Sequence, residues 1–219
     1  PTLALHDALP IFEAMQIACN LSSVRIWSQH FDHARKFADQ ASAAHGIPVT
    51  AVDSVKEAVA GVDIICTVTS ATEPILRGDW ISPGTHINAV GSDLPGKIEV
   101  PKDVLREAFV CPDFRLQALF EGECQQLDEG EIGEEIVLVS REPQRFRPHQ
   151  GNLTVFDSTG FALEDHVVLE LVLEYATDLR IGTAVKLENI PADPKNPYEF
   201  LVPQAKAPAE GEPVRQVGV

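Results

Sequence analysis

A chain of 219 residues can bury a sizeable core, and 44% hydrophobic with 23% charged residues is a globular rather than a disordered composition. Asp and Glu number 33 against 17 Lys and Arg, and the resulting net charge of -16 repels phosphate backbones and anionic lipid, which argues against a general nucleic-acid or membrane-surface partner. No apolar run approaches the roughly 20 residues that span a bilayer, and the first residues carry neither the basic region nor the cleavage site of a signal peptide.

The chain opens PTLALHDALPIFEAMQIACNLSSVRIWSQ, which reads as a strand-like start, a helix and a second strand. From Phe12 to Leu21 the apolar residues Phe12, Met15, Ala18 and Cys19 recur at three- and four-residue spacing, one buried helix face. Val24 to Trp27 comes next as a strand. Asp32 is expected to cap the next helix and Gly46 to close it, before a strand over Ile47 to Val52. Ser54 and Glu57 have the spacing of a capping box, so a short helix is expected to about Ala60. The run Val62 to Thr69 is apolar on both faces, as in a central parallel strand covered by helices. Then come the strand THINAV, a helix over Asp103 to Ala108, the strand FVCPD and a helix over Arg115 to Gln126. Residues 128–150 have weak periodicity and are expected as a loop with one helix; the strand Leu153 to Asp157 and a long helix from Phe161 to Leu179 complete the pattern. The tail from residue 204 has the Pro, Gly and charge content of a disordered terminus.

Strands alternating with helices predict right-handed crossovers and an α/β, Rossmann-like doubly wound parallel sheet. Its glycine-rich phosphate loop should precede the helix at Phe12, where backbone amides must reach a pyrophosphate, yet the first glycine in the chain is Gly46. Residues 1–11 are instead expected to be a non-native leader: LHDALPI is what the nucleotide string CTACACGACGCTCTTCCGATC encodes, and that string resembles a sequencing-library adapter. The expected organisation is thus a leader over 1–11, a truncated dinucleotide-binding domain over 12–158, a C-terminal helix and return segment over 159–203, and the tail over 204–219.

In such a sheet ligands sit at the carboxyl ends of the strands. Three stretches end strands there: TVTSATEP, NAVGSDLPGK and FDSTGFALED. Gly91 and Ser92 would let a ligand approach the backbone, Asp93 would stand at the lip of the site, and Lys97 lies four residues later. An Asp beside a nicotinamide can exchange a proton with a substrate amine, and a Lys can hold its charge state or contact the cofactor. The competing reading is a surface turn in which Asp93 caps the residues after it. At the end of the second strand Ser28 could contact a ribose; neither the acidic residue of NAD enzymes nor the basic one of NADP enzymes is present. His30 and His33 lie one helical turn apart, but a solvated helix start is preferred to a metal pair. His86 reads as a packed or hydrogen-bonded core residue, and Glu164 and Asp165 as acidic residues favouring a helix start. Cys19, Cys66, Cys111 and Cys124 form no CxxC pair and read as free thiols of a reducing compartment, placing the protein in the cytoplasm.

The segments VDIICTVTSATEPIL, GTHINAVGSDLPGKIEV, FEGECQQL and TVFDSTGFALED, in that order, resemble the ornithine cyclodeaminase and mu-crystallin family of nicotinamide-dependent enzymes. The turn from Gly91 to Val100 and the late segment IGTAVKLENIPADPKNPYEF are similar to its ornithine cyclodeaminase branch, with Gly91-Ser92-Asp93 where Gly-Gly-Asp is common. The resemblance implies that Asp93 is the proton donor and acceptor, that Ser28, Thr69, Val90, Gly91, Ser92, Asp93, Lys97 and Ser158 contact the cofactor, and that Asp93 and Thr159 touch substrate, Thr159 standing where relatives carry valine. It implies NAD, with NADP open, a small amino-acid substrate, a homodimer, and conversion of L-ornithine to L-proline and ammonia with the cofactor regenerated each turnover. A ketimine or imino-acid reductase, an amino-acid dehydrogenase, a lysine cyclodeaminase and a non-catalytic nicotinamide-binding protein are the alternatives. It further implies a preceding segment that clamps the substrate carboxylate and builds much of the dimer interface, so the chain as written is expected to bind NAD weakly and to be inactive.

Overall fold

The structure is a computed structural model that describes residues 3–183 and 195. The return segment beyond residue 183 and the tail over 204–219 lie outside the described residues. The chain divides into two compact units, Pro1–Val168 and Leu169–Val219. Within the second, the described part of the last helix exposes Leu169, Leu171, Val172, Leu173 and Tyr175.

In the first unit, every pair of neighbouring strands is parallel, as expected of an α/β fold. A four-stranded sheet has the order β3-β4-β6-β5, formed by Ile64–Thr67, His86–Ala89, Thr154–Asp157 and Phe109–Pro112 respectively. Among the described residues the two remaining strands, β1 (Val24–Ile26) and β2 (Val49–Ala51), pair only with each other. The expected central strand at Val62 to Thr69 is therefore an edge strand among the described residues, hydrogen-bonded only to β4. Its alternation shows the consequence: Ile65 and Thr67 are buried, whereas Cys66 on the opposite face is exposed.

Two apolar clusters hold these layers. Ile65, Ile87, Val110 and Val155, one from each strand of the larger sheet, pack with Val104 and Leu105 of α4 (Lys102–Glu107) and with Leu76 and Val100. Each such side chain, once fully buried, contributes about 1.5–3 kcal/mol. The smaller cluster joins β1 and β2 to α1 (Leu3–Ala18) and α2 (Phe31–His45) through Phe12, Phe37, Ala38, Ala41 and Val49. Phe12 sets its ring edge-on to Phe37, with centroids 6.0 Å apart.

Several local expectations are corrected. The opening is helical from Leu3 rather than strand-like; Leu and Ala are strong helix formers, and they offset Pro10 inside the helix, which withholds a backbone donor and crowds the preceding turn. The residue capping α2 is His30, not Asp32, which lies in the first turn and pairs with Arg35 at 3.0 Å. Gly46 does close α2, its amide reaching the Ser42 carbonyl at 3.0 Å. Ser54 accepts from the Glu57 amide at 3.2 Å and starts α3 (Val55–Val59). The helix expected over Arg115 to Gln126 is broken into α5 (Arg115–Ala118) and a 3-10 turn, Glu123–Gln126. Gly122 between them, at φ 78°, leaves the helical region. Residues 128–150 hold more order than expected, with α6 (Ile136–Arg141), α7 (Pro143–Phe146) and two 3-10 turns. The last helix, α8, spans Ala162–Leu179, within a residue of expectation.

Candidate functional site

Parallel strands bring their carboxyl ends to one edge, and in this sheet the loops beyond them are tied by backbone hydrogen bonds. The Val90 and Gly91 amides donate to the Thr67 carbonyl at 3.0 and 3.1 Å, and the Ser158 amide donates to that of Ala89 at 2.9 Å. Thr69, Val90, Gly91, Ser92 and Ser158 are thereby gathered on one edge. Ser28 stands beyond β1 in the smaller sheet, where its Oγ accepts from the His30 amide at 3.4 Å.

Beneath this edge lie four buried carboxylates, each gripped by backbone amides instead of a cation. Glu99 accepts from the Thr69 amide at 2.6 Å and from the Gly91 amide at 3.0 Å, joining the loops after β3 and β4. Glu123 accepts from the Ser92 hydroxyl at 2.5 Å, the Glu99 and Val100 amides at 2.7 and 3.2 Å, and Gln126 Nε2 at 2.8 Å. Asp157, at the end of β6, accepts from the Glu123 and Cys124 amides, both at 2.8 Å. Asp113 takes the Thr159 amide at 2.6 Å, its hydroxyl at 3.0 Å and the Gly160 amide at 2.9 Å. None of the ion pairs among the described residues involves these four. A hydrogen bond to a charged group contributes about 1.5–3 kcal/mol, so the network fixes the loop backbones against one another. Gly91 shows how tightly: a Cβ there would lie 2.5 Å from Glu99 Oε2.

Above this rigid floor, Asp93 is exposed and forms an ion pair with Lys97, four residues on, whose side chain is largely buried. The turn between them is closed by the Lys97 amide on the Leu94 carbonyl at 3.1 Å, and Gln125 holds it from below through the Gly96 amide at 2.8 Å and the Lys97 carbonyl at 3.0 Å. Asp93 thus stands as a solvent-facing carboxylate with an ammonium beside it, an arrangement able to accept or return a proton at Oδ. Thr159 is buried and commits its hydroxyl proton and its amide to Asp113 while its carbonyl accepts from Gln117, so the expected substrate contact at this position is left to its methyl group. Thr67 Oγ1 is buried without a hydrogen-bond partner at the end of β3.

Sequence reasoning singled out Asp93 and missed Glu99, Glu123, Asp157 and Asp113. The sequence marks only the place of two of them, Asp157 and Asp113, which close the apolar strand runs in TVFD and VCPD; it does not mark their burial. Burial pushes the Glu123 carboxyl up to about 7, with Asp157 adding to the rise and the Ser92 hydroxyl and backbone amides opposing it. Burial likewise raises Asp157 to about 6. Both groups hold protons more tightly folded than unfolded, where their ordinary values are 4.5 and 3.8. Their contribution to stability is thus fully present below those values and is lost as pH rises through about 6 to 7. Denaturant unfolding should show this slope in the native sequence, and Glu123→Gln should flatten it; an unchanged slope in the variant would assign it to other groups.

His86 bonds Thr154 Oγ1 at 2.7 Å and Asn88 Oδ1 at 3.1 Å, and burial lowers its pKa. His30 and His33 set their rings edge-on, 5.2 Å apart. A cavity of about 520 Å³ lies at the amino ends of the strands, lined by Gly84, Phe109, His149 and Leu153, away from Asp93.

The profile of the ornithine cyclodeaminase/mu-crystallin family matches residues 6–179. An L-lysine cyclodeaminase of Streptomyces rapamycinicus is 37% identical over 77% of this chain and 50% of its own length. The ketimine reductase mu-crystallin of Mus musculus is 40% identical over 71% of this chain and 48% of its own. The chain therefore spans about half the length of these curated relatives. A lysine cyclodeaminase structure addressing recognition of L-lysine, L-ornithine and L-2,4-diaminobutyric acid superposes with a TM-score of 0.79 at 36% identity, covering 87% of this chain and 56% of that one. An archaeal alanine dehydrogenase dimer with bound NAD superposes with a TM-score of 0.75 at 28% identity, covering 83% and 57%. With a profile match across most of its length and a shared parallel-sheet fold, the chain belongs to the ornithine cyclodeaminase/mu-crystallin family.

Proposed function

We propose that this chain supplies the nicotinamide-side half of an enzyme that deaminates and cyclises a basic α-amino acid, with L-ornithine to L-proline as the reference reaction. The observation that carries the reading is Asp93, held at the carboxyl edge of β4 beside Lys97 on a turn braced by buried carboxylates. L-Lysine is the second substrate reading, favoured by the similarity to a lysine cyclodeaminase at 37% identity.

The edge formed by Thr69, Val90, Gly91, Ser92 and Ser158 suits a nicotinamide, and the partnerless Thr67 hydroxyl beneath it is an available polar contact. These residues, with Lys97, would hold that end of NAD. NAD, when bound, supplies reversible hydride acceptance. Asp93 takes a proton from the substrate's α-ammonium, holds it at Oδ beside the Lys97 charge, and returns it to the departing amine. The Lys97 ammonium pairs with the carboxylate whenever it is free of that proton. The rigid loops keep both groups in place with little reorganisation. Ornithine becomes proline plus ammonia with no net oxidation.

The pyrophosphate end is different. Helix α1 contains no glycine, and among the described residues the larger sheet has an unpaired edge at β3 while β1 pairs only with β2. In the doubly wound order 3-2-1-4-5-6 the strand bearing the phosphate loop stands between these positions. Residues 1–11 accordingly remain, in this reading, a leader that replaces that strand and loop, with 12–158 the cofactor domain and 159–203 part of the substrate and dimer domain. Free thiols at all four cysteines support a reducing, cytoplasmic setting, and among the described residues no helix is long and apolar enough to cross a membrane. Exposed apolar side chains on the last helix support a homodimer.

The test is an assay of the whole enzyme, in which these segments are joined to the first strand and its loop, with NAD and L-ornithine or L-lysine. Cyclic imino acid and ammonia should form in equal amounts without accumulation of reduced cofactor. Stoichiometric consumption of NADH with a cyclic imine would move the protein to the reductases, and NAD binding without turnover of any diamino acid would make it a binding protein. The 219-residue chain itself should bind NAD weakly and release no proline.

A further inference from the structure

Gln125 holds the middle of the turn that carries Asp93, and both of its ends are held by one further side chain from a distant part of the sequence. Glu123 is fully buried and comes directly after Gly122, 31 residues beyond Ser92. Its four partners are all donors: one hydroxyl, two backbone amides and one side-chain amide. Those donors come from both ends of the turn, Ser92 immediately before Asp93 and Glu99 and Val100 just after Lys97. Glu123 itself is fixed because Asp157 takes its amide at 2.8 Å. Moving this carboxylate would shift both ends of the turn at once.

Resting on the cyclodeaminase reading above, we propose that Glu123 is a positioning residue that sets the placement of Asp93 through Ser92 and the Glu99 and Val100 amides, and that its ionised form is the one that holds the turn in working geometry. Four donors saturate an acceptor-only group. A protonated carboxyl must itself donate, and the backbone amides cannot accept. The Gln126 amide can flip only by giving up its bond to the Val100 carbonyl at 3.0 Å, so the Ser92 hydroxyl is the partner that turns round freely, which reverses that hydrogen bond and releases the Ser92 proton to another acceptor. One proton on Glu123 therefore rearranges the residue next to Asp93.

The groups facing Glu123 make this exchange accessible near neutral pH. Asp157 from the end of β6 and Glu99 from the turn are both buried acids, and Asp113 lies near Asp157 at the end of β5. Cys124 is a neutral thiol raised by burial, and Arg115 acts on that thiol. The Asp93–Lys97 pair lies on the outer side of the same turn. Thus burial and acidic neighbours favour the proton while the four donors oppose it.

The experiment compares the whole enzyme with its Glu123→Gln variant by amide hydrogen exchange over residues 91–100 and by kcat and KM against pH. The variant puts an amide nitrogen against two of the four donors. It should exchange at least about tenfold faster in this turn and lose about 100-fold in kcat, with much smaller changes in KM. The acid limb of the native kcat profile, expected near about 7, should disappear. Should Glu123→Gln fail to fold, Ser92→Ala removes one donor only and should move that limb to higher pH, because the hydroxyl's bond holds the proton affinity of Glu123 down. Native exchange and native kcat in Glu123→Gln, or an unmoved acid limb in either variant, would overturn the proposal. If the native enzyme turns over no diamino acid while turn exchange still accelerates in Glu123→Gln, the cyclodeaminase reading fails and the clamp on the turn stands; normal turnover with unaltered exchange has the opposite meaning.

Discussion

Asp93→Asn in the whole enzyme should lower kcat by about 100- to 10,000-fold, the range a positioned general acid–base contributes. Asparagine keeps the shape of the side chain but cannot take up a proton at neutral pH. The fold has little stake in the change: Asp93 is solvent-facing, and the asparagine oxygen can still accept from the Lys97 ammonium. None of the four buried carboxylates depends on it. NAD affinity should therefore move little, since Thr69, Gly91 and Ser158 keep their backbone positions. Kinetics and cofactor titration on the same preparation separate the two effects, and near-normal turnover would remove Asp93 from the chemistry. The exposure carries a further implication. Proton transfer at a carboxylate open to bulk water gains little from preorganised charges, so the proposed chemistry requires Asp93 to be covered once substrate is bound.

The parts legible in sequence were those governed by local patterns. Apolar runs marked β3, β4, β5 and β6 to within two residues, and Ser54 and Gly46 marked helix ends through hydrogen bonds that close within four residues. Asp93 and Lys97 were legible because their spacing brings them together in one turn. What escaped depended on distant partners. Glu99 meets Thr69 across 30 residues, Glu123 meets Ser92 across 31, and Asp113 meets Thr159 across 46. No local pattern reveals that an acidic residue will be buried on backbone amides, because a buried carboxylate is costly until those amides converge on it. The edge position of β3 was hidden for a similar reason: an apolar run records the burial a strand requires, not which neighbours supply it.

Gly91→Ala should destabilise the protein by about 3 kcal/mol or more, the upper end of what overpacking costs, and should weaken NAD binding with it. The cost comes from crowding by groups that cannot retreat. The new methyl group would meet Glu99 Oε2 at 2.5 Å and the Thr69 carbonyl still more closely. Glu99 cannot swing aside without abandoning the Thr69 and Gly91 amides, and Thr69 is held by the same carboxylate. Relief would have to come from moving the whole turn, which carries Ser92 off Glu123 and displaces Asp93. Gly130→Ala is the matched control: its added carbon meets nothing within 4 Å, and its φ is not positive. That substitution should stay within about 0.5 kcal/mol of the native protein. Thermal unfolding and NAD titration of both variants decide the matter. A Gly91→Ala protein as stable as Gly130→Ala would mean that the loops after β3 and β4 can part without cost, and the rigid floor assigned to this edge would not exist.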